Sequence, residues 1–310
     1  MREGLFQSKE FYTFLQGSGV LEPFRYVVSR EGREVGVIQG FIQKDGGRIK
    51  QFFSRRAIIN GGPWLSEDIA NTELEQLLRN CIDDLKRKVI YIETRNFSDY
   101  SSFHSSFEKV GFVYEPHYDF VIDTSCRETV NSHMGKSRDR DANSSLKNGA
   151  TVTENPTETE VIAYYSLLAE LYKTKIKKPL FPQQFFLQLW AASLSKFLLV
   201  KYNEEVIGGT VCVYDDETIY EWFVCGKDSS YPKVFPSTLA TWSAIRYAAN
   251  NGFKRFDMMG AGAPGDGGYG VREFKAKFGG ELVEYGRFVY VCSKPLYDIG
   301  KAAISIMKKL

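Results

Sequence analysis

Histidine is scarce in this chain: there are three, His104, His117 and His133, in 310 residues. None stands at a metal-ligand spacing from another or from a cysteine, so the sequence offers no zinc site. The five cysteines are scattered and odd in number, with no C-x-x-C pair. That excludes a disulfide framework and indicates reduced thiols in a cytoplasmic protein. Charge of one sign is also missing: the formal net charge is +2, so a general coat of nucleic acid or DNA is not expected, although local basic patches remain open. No window approaches the ~18 uninterrupted apolar residues of a membrane span. The start, MREGLFQSKEFYTFL, lacks the apolar core of a signal peptide. A serine-hydrolase G-x-S-x-G elbow is absent too.

What is present is core-forming material. With 43% hydrophobic and 15% aromatic residues, the chain can fill real cores, and its length favours two domains. The first half reads as a helix at 8–16, strands at 24–30, 34–43 and 48–54, a helix at 72–88 and a strand at VIYIET. A short helix at 101–109 and a long strand at 112–122 follow. The second half has helices at 158–174 and 182–193, then three strands, a helix at 237–251 and the strand KRFDMM. The Gly-rich GAGAPGDGGYG, a short helix and a strand at 281–292 complete it.

The two halves share a plan. At an offset of 168 residues, FEKVGFVYEPHYDFVI (107–122) overlays KAKFGGELVEYGRFVY (275–290). Lys109 falls on Lys277, Gly111 on Gly279 and Phe120 on Phe288. An internal duplication accounts for this most simply. It predicts an α/β protein with a mixed sheet in each half, divided at 1–150 and 151–310.

The overlay separates fold from function. In YGVREFKAKFGG, Val271, Phe274 and Phe278 are expected to share the packed face of a helix that stops at the glycines. Lys277 has a counterpart and reads as structural. Lys275 falls on Phe107 and Arg272 on His104, so the fold does not need those two cations. A solvated lysine is the plain alternative for Lys275. Because Phe107 occupies that place in the first half, Lys275→Met is expected to change stability by no more than about 0.5 kcal/mol.

Three further stretches bear on ligands. GKDSSYPKVFPSTLATW opens the helix after a strand with no glycine beyond Gly226, and Pro236 removes a donor. The first half opens its equivalent helix with Asn71 and Thr72 as an ordinary cap. Neither place suits a pyrophosphate, so acetyl-CoA is expected to bind with a Kd in roughly the millimolar range or worse. GAGAPGDGGYG fits neither G-x-G-x-x-G nor a P-loop and reads as a flexible substrate loop. MGKSRDRDANSSLKNG is a mixed-charge helix, solvated or ligand-binding through Lys136 and Arg138.

NGGPW (60–64), HYDFVIDTS (117–125), MGKSRDRDANSSLKNGA (134–150), PSTLATWSAIRYAANNGFKRFDMMG (236–260) and YGVREFKAKFGG (269–280) occur in that order along the chain. In these segments the protein resembles the FemABX family of peptidoglycan interpeptide-bridge aminoacyltransferases. The resemblance implies two tandem GNAT-like domains, here without the coiled-coil insertion that some members carry. It also implies transfer of an amino acid from aminoacyl-tRNA to an amine of a UDP-linked or lipid-linked cell-wall peptide precursor, in the cytoplasm and with no cofactor. Lys275 matches the lysine of the family's Phe-Lys-x-x-Phe-Gly helix and would act on the donor or the developing oxyanion. Arg272, Tyr269, Arg138, Lys136, Tyr118 and Trp64 would hold phosphates and the acceptor. Glu93, Asp257 and Glu221, near strand ends, are the nominated general bases or substrate contacts. Two alternatives stay open: an acyl-CoA-dependent N-acyltransferase acting on an amino sugar, and a non-catalytic binding protein on the same fold. Monomer and homodimer are equally compatible.

Overall fold

The computed structural model describes residues 3–228, 230–266 and 270–307, apart from the side chains of 48, 49 and 303–307. It divides the chain into two compact units, one of residues 1–116 with 285–310 and one of residues 117–284. The expected division at 150/151 is therefore not where the units separate. The last strand of each repeat explains why.

The first unit contains α1 (Lys9–Ser18), β1 (Glu22–Arg30), β2 (Arg33–Gln43), α2 (Arg48–Ser54), β3 (Arg56–Gly61), β4 (Trp64–Leu65), α3 (Asn71–Leu85), β5 (Tyr91–Asn96), α4 (His104–Lys109) and β6 (Val113–Glu115). The second unit contains β7 (Tyr118–Asp123), α5 (Arg127–His133), α6 (Lys136–Lys147), β8 (Thr151–Thr153), α7 (Glu158–Leu171), α8 (Gln183–Ala191), β9 (Ser195–Tyr202) and β10 (Glu205–Tyr214). It continues through β11 (Thr218–Gly226), α9 (Pro236–Asn250), β12 (Arg255–Asp257), α10 (Gly270–Ala276) and β13 (Glu281–Glu284). The chain then returns to the first unit for β14 (Arg287–Val291) and α11 (Lys294–Met307).

The first sheet runs β1-β2-β3-β5-β14-β6, with β4 beside β2; the second runs β13-β7-β12-β11-β10-β9-β8. Reversing the second makes the match plain. Each sheet has an antiparallel meander, one parallel neighbour (β3 with β5, β11 with β12), and then an antiparallel strand taken from the other repeat. The strands expected at 112–122 and 281–292 are each broken, and the pieces β6 and β13 pair with β14 and β7. The two breaks, 116/117 and 284/285, lie 168 residues apart. The duplication holds, with its terminal strands exchanged.

The helix stops match in detail. The Gly111 N–H donates to Glu108 O at 2.9 Å, and the Gly279 N–H to Ala276 O at 3.3 Å. Both glycines have positive φ, +99° and +85°. At Gly279 a Cβ would meet the His133 carbonyl oxygen at 2.0 Å, so no side chain fits there.

Three local expectations change. Residues 48–54 form a helix and not a strand, and the strand begins at Arg56; Gly46 and Gly47 precede a segment whose apolar residues do not alternate. α3 is opened by the Glu73 carboxylate accepting from the Ala70 N–H at 2.8 Å, not by Asn71 or Thr72. On α10, Val271 is exposed and Phe274 half-buried, and Phe278 just past its end is buried, while the buried residue inside the helix is Lys275. The apolar face read from the sequence is only partly used.

Candidate active site

The second unit gathers charge in its interior. Lys275 is 7% exposed, and Asp119, Glu221 and Asp257 are 4%, 4% and 0% exposed. A buried lysine must be hydrogen-bonded or paired. The Lys275 Nζ donates to the carbonyls of Met258 and Gly260, the latter at 2.7 Å. Lysine has three N–H donors, so one is left for a further acceptor.

The segment receiving those bonds follows β12. Met259 has φ +54° there, a left-handed conformation uncommon for a residue with a side chain. Its N–H donates to Asp257 Oδ1 at 2.9 Å. Arg272 donates from Nε to Ala261 O at 2.8 Å and from a terminal nitrogen to Ala263 O at 2.6 Å. Its guanidinium lies 5.0 Å over the Tyr118 ring. The Tyr118 backbone closes the arrangement, donating to Gly262 O and accepting from the Ala261 N–H. Residues 258–263 are thus pinned by two cations of α10, and the expectation of a flexible loop is corrected for that part. Residues 267–269, including Tyr269, lie outside the described residues.

Asp119 and Asp257 come together across neighbouring strands. Asp257 pairs with Val121 in the β12–β7 register, so Asp119, two residues along, shares its face. The charge of Asp257 bears directly on Asp119. Burial, and next the charge of Asp257, push Asp119 well above the ordinary carboxyl range, with Lys275 acting against both. Asp119 therefore tends toward its protonated form. Arg255 donates to Asp257 Oδ2 at 3.1 Å.

Glu221, on β11, accepts at Oε1 from Thr241 at 2.7 Å and Thr210 at 3.3 Å. Its Oε2 has no hydrogen-bond partner among the described residues. Burial raises its pKa, against the opposing influences of Lys275 and the two threonines. One lysine thus lies in the field of two carboxyls that tend to hold protons.

Arg138, on α6, reaches α10 from its other side. Its guanidinium stacks 4.4 Å from the Phe274 ring and 5.4 Å from Phe278, and it donates to Thr238 at 3.2 Å. Burial lowers its pKa, and a cation held between rings keeps the helix in place. Lys136, at the start of α6, is exposed.

Two nominated residues fall in the first unit. Glu93 binds Arg95 at 2.8 Å and Arg287 at 2.9 Å. Burial pushes its carboxyl up, but the two guanidinium charges outweigh this and leave its pKa at about 2. A carboxylate so fully paired is a poor base near neutrality, so the nomination of Glu93 as catalytic is withdrawn. Trp64 stands opposite Val37 in the β2–β4 pair.

Asp119 was missed as a site residue, although it lies in the quoted HYDFVIDTS. A lone aspartate in a strand carries no motif; only strand pairing brings it to Asp257. Thr210, Thr241 and Arg255 gave no signal at all.

The N-terminus of α9 bears on the acyl donor. Its N-cap residue, Phe235, supplies no side-chain cap, and Pro236 occupies its first turn. The Ser237 N–H donates to the carboxylate of Asp228 at 3.1 Å. A resident anion already takes the donor that a pyrophosphate would use.

A model of the FemAB family matches residues 191–305. Among solved structures, the crystal structure of FemX superposes with a TM-score of 0.69 at 15% identity, covering 95% of this chain and 94% of that chain. L-PGS from Bacillus licheniformis superposes at 0.60 with 16% identity, covering 95% and 93%. A tandem GNAT protein from the clavulanic acid biosynthesis pathway reaches 0.53 at 11% identity, covering 88% and 84%. No curated protein sequence matches the chain. The fold is that of tandem GNAT-like proteins, α/β with mixed sheets. The family match includes the segments 236–260 and 269–280, two of those that carry the FemAB resemblance.

Proposed function

We propose that this chain, similar over residues 191–305 to the FemAB family, is an aminoacyltransferase that moves an amino acid from aminoacyl-tRNA to the amine of a cell-wall peptide precursor, UDP-linked or lipid-linked. One observation carries the reading: the second unit buries Lys275 in the field of the carboxyls of Asp119 and Glu221, where the first unit has only Phe107.

Transfer requires a neutral amine, a stabilised oxyanion and alignment of the two substrates. Glu221, whose Oε2 has no hydrogen-bond partner among the described residues and whose pKa is raised by burial, takes the ammonium proton. The freed nitrogen attacks the ester carbonyl carbon as the C–N bond forms. The third N–H of Lys275 bonds the oxyanion; the C–O bond then breaks, and the ribose oxygen leaves with the proton that the attacking nitrogen gives up. Arg272 and Tyr118 act as positioning residues, because their bonds fix the backbone carbonyls that hold Lys275. Arg138 and Lys136 are the cations offered to substrate phosphates.

The deciding experiment incubates the protein with charged tRNA pools and cell-wall precursors and reads the products by mass. A precursor gaining one amino-acid residue, lost on treating the tRNA with ribonuclease, supports the reading. Turnover of acyl-CoA without tRNA, or low-micromolar CoA binding despite Asp228, replaces it with the amino-sugar acyltransferase. No product with any donor, alongside tight binding of a precursor, leaves a binding protein on this fold.

A further inference from the structure

Helix α2 in the first unit is a feature that neither the sheet nor the core explains. Phe52 and Phe53 are 46% and 45% exposed, with ring centroids 5.1 Å apart, edge to face. The Arg55 guanidinium lies 4.5 Å over the Phe52 ring. Lys50 is exposed beside them. α2 packs on α11, where Ile299 is 55% exposed. Between Gly46 and Ser66 the chain has four cations, Arg48, Lys50, Arg55 and Arg56, and no acidic residue. Asp45 answers Arg56 at 2.6 Å; the lysines of α11 have their own partners, Asp298 and Glu115. Among the described side chains of this segment, Lys50 and Arg55 have no carboxylate partner, so the net positive charge lies beside the two rings.

We propose that α2 docks this protein on an anionic lipid bilayer surface. Adjacent exposed aromatic side chains beside cations are the chemistry of shallow insertion at the headgroup boundary. RNA fits less well. Base stacking needs an open ring face, and Phe52 has Arg55 over one face and Phe53 in edge contact. A second copy fits less well again, since a two-fold contact through α2 would bring its cations against themselves. The docking stands on the patch alone. The choice it implies, a lipid-linked rather than a UDP-linked acceptor, rests on the transfer reading.

Vesicle flotation tests the docking without any turnover. The intact protein is floated with phosphatidylglycerol–phosphatidylcholine vesicles and with phosphatidylcholine vesicles, as wild type, as Phe52→Ser/Phe53→Ser and as Lys50→Glu. The expected result is association with the anionic vesicles, weakened about tenfold or more by the double substitution. Lys50→Glu should remove most of the dependence on anionic lipid. Both variants change exposed side chains, and unaltered thermal melting shows that they fold. The proposal is overturned if the wild type does not float with anionic vesicles, or if the double variant floats equally well. It is overturned equally if the double variant loses tRNA binding or self-association while its flotation is unchanged.

Discussion

The two units share one strand order and differ in what they bury at one position. In the first, Phe107 is fully buried and stacks on Phe288 with centroids 3.9 Å apart. In the second, 168 residues on, Lys275 meets two backbone carbonyls and the field of two carboxyls. Each unit also buries a carboxylate near this level of its sheet, with opposite outcomes. Glu93 is fully paired and held at about 2, whereas Asp119 and Glu221 are raised. A duplicated fold can thus keep one copy as a neutralised scaffold and load the other with incompletely satisfied charge, the condition acid–base chemistry requires.

The largest effect is expected where the first unit is most completely paired. Glu93→Gln leaves Arg95 and Arg287 without their carboxylate, and breaking a buried pair costs about 3–5 kcal/mol. Hydrogen exchange should show lost protection in β5 and β14, with transfer activity per folded molecule unchanged. The same pair predicts a pH response. Its folded pKa lies below the ordinary 4.5, so its stabilisation is present above 4.5 and is lost as pH falls toward 2. The amount is on the order of 3 kcal/mol. An activity loss without a stability loss would make Glu93 catalytic and dissolve the contrast.

Lys275→Met is expected to lower transfer about 100-fold or more, the scale for one transition-state stabiliser. Its structural effect differs from the sequence expectation of about 0.5 kcal/mol. Phe107 is tolerated because Phe288 stacks on it. A methionine at 275 would leave the Met258 and Gly260 carbonyls unpaired, at a cost of about 2 kcal/mol or more. Thermal melting and single-turnover transfer, measured on the same sample, separate the two effects. Lys275→Arg should restore more stability than activity. If Lys275→Met keeps full activity, the lysine only holds the loop.

The repeat and its helix stop were legible because they rest on local chemistry: a glycine at positive φ and a cation in the last turn. Lys275 stood out because the duplication supplied an internal control. Exchange of the terminal strands was not legible, since Pro116 and Tyr285–Gly286 read as ordinary strand residues until pairing is known. Asp119 was hidden for the same reason. α2 was misread although Ile49, Phe52 and Phe53 stand at i, i+3 and i+4, a helical spacing that one short turn expresses too briefly to outweigh the neighbouring strands.

Glu221→Gln sharpens the contrast in pH response. A carboxyl raised on folding contributes stability that is fully present below its unfolded value, ordinarily 4.5, and loses it as pH rises through the folded value. The second unit should therefore lose protection in β11 and α9 on going from acid toward neutral pH, opposite in sign to the first unit. Glu221→Gln should flatten that slope while keeping the bonds from Thr210 and Thr241. Hydrogen exchange across a pH series, corrected for intrinsic rates, reads both units in one experiment. Slopes of the same sign in the two units would show that Glu221 does not hold a proton.

The smallest effect is expected at Lys277, two residues from Lys275 in the same cation-rich segment. Its side chain is exposed, and its structural contact is made by the main chain, which accepts from the Gly135 N–H at 3.0 Å. A substitution leaves that bond in place. Its counterpart Lys109 is exposed as well and reaches Glu75 at 2.8 Å, a surface pair of small worth. Lys277→Met should therefore change stability by no more than about 0.5 kcal/mol and leave transfer nearly intact. Melting and turnover beside Lys275→Met check this under identical conditions. An activity loss at 277 equal to that at 275 would mean that charge on this segment matters in bulk, through attraction of a polyanionic donor. The contrast between Phe107 and Lys275 would then no longer locate the chemistry at one buried nitrogen.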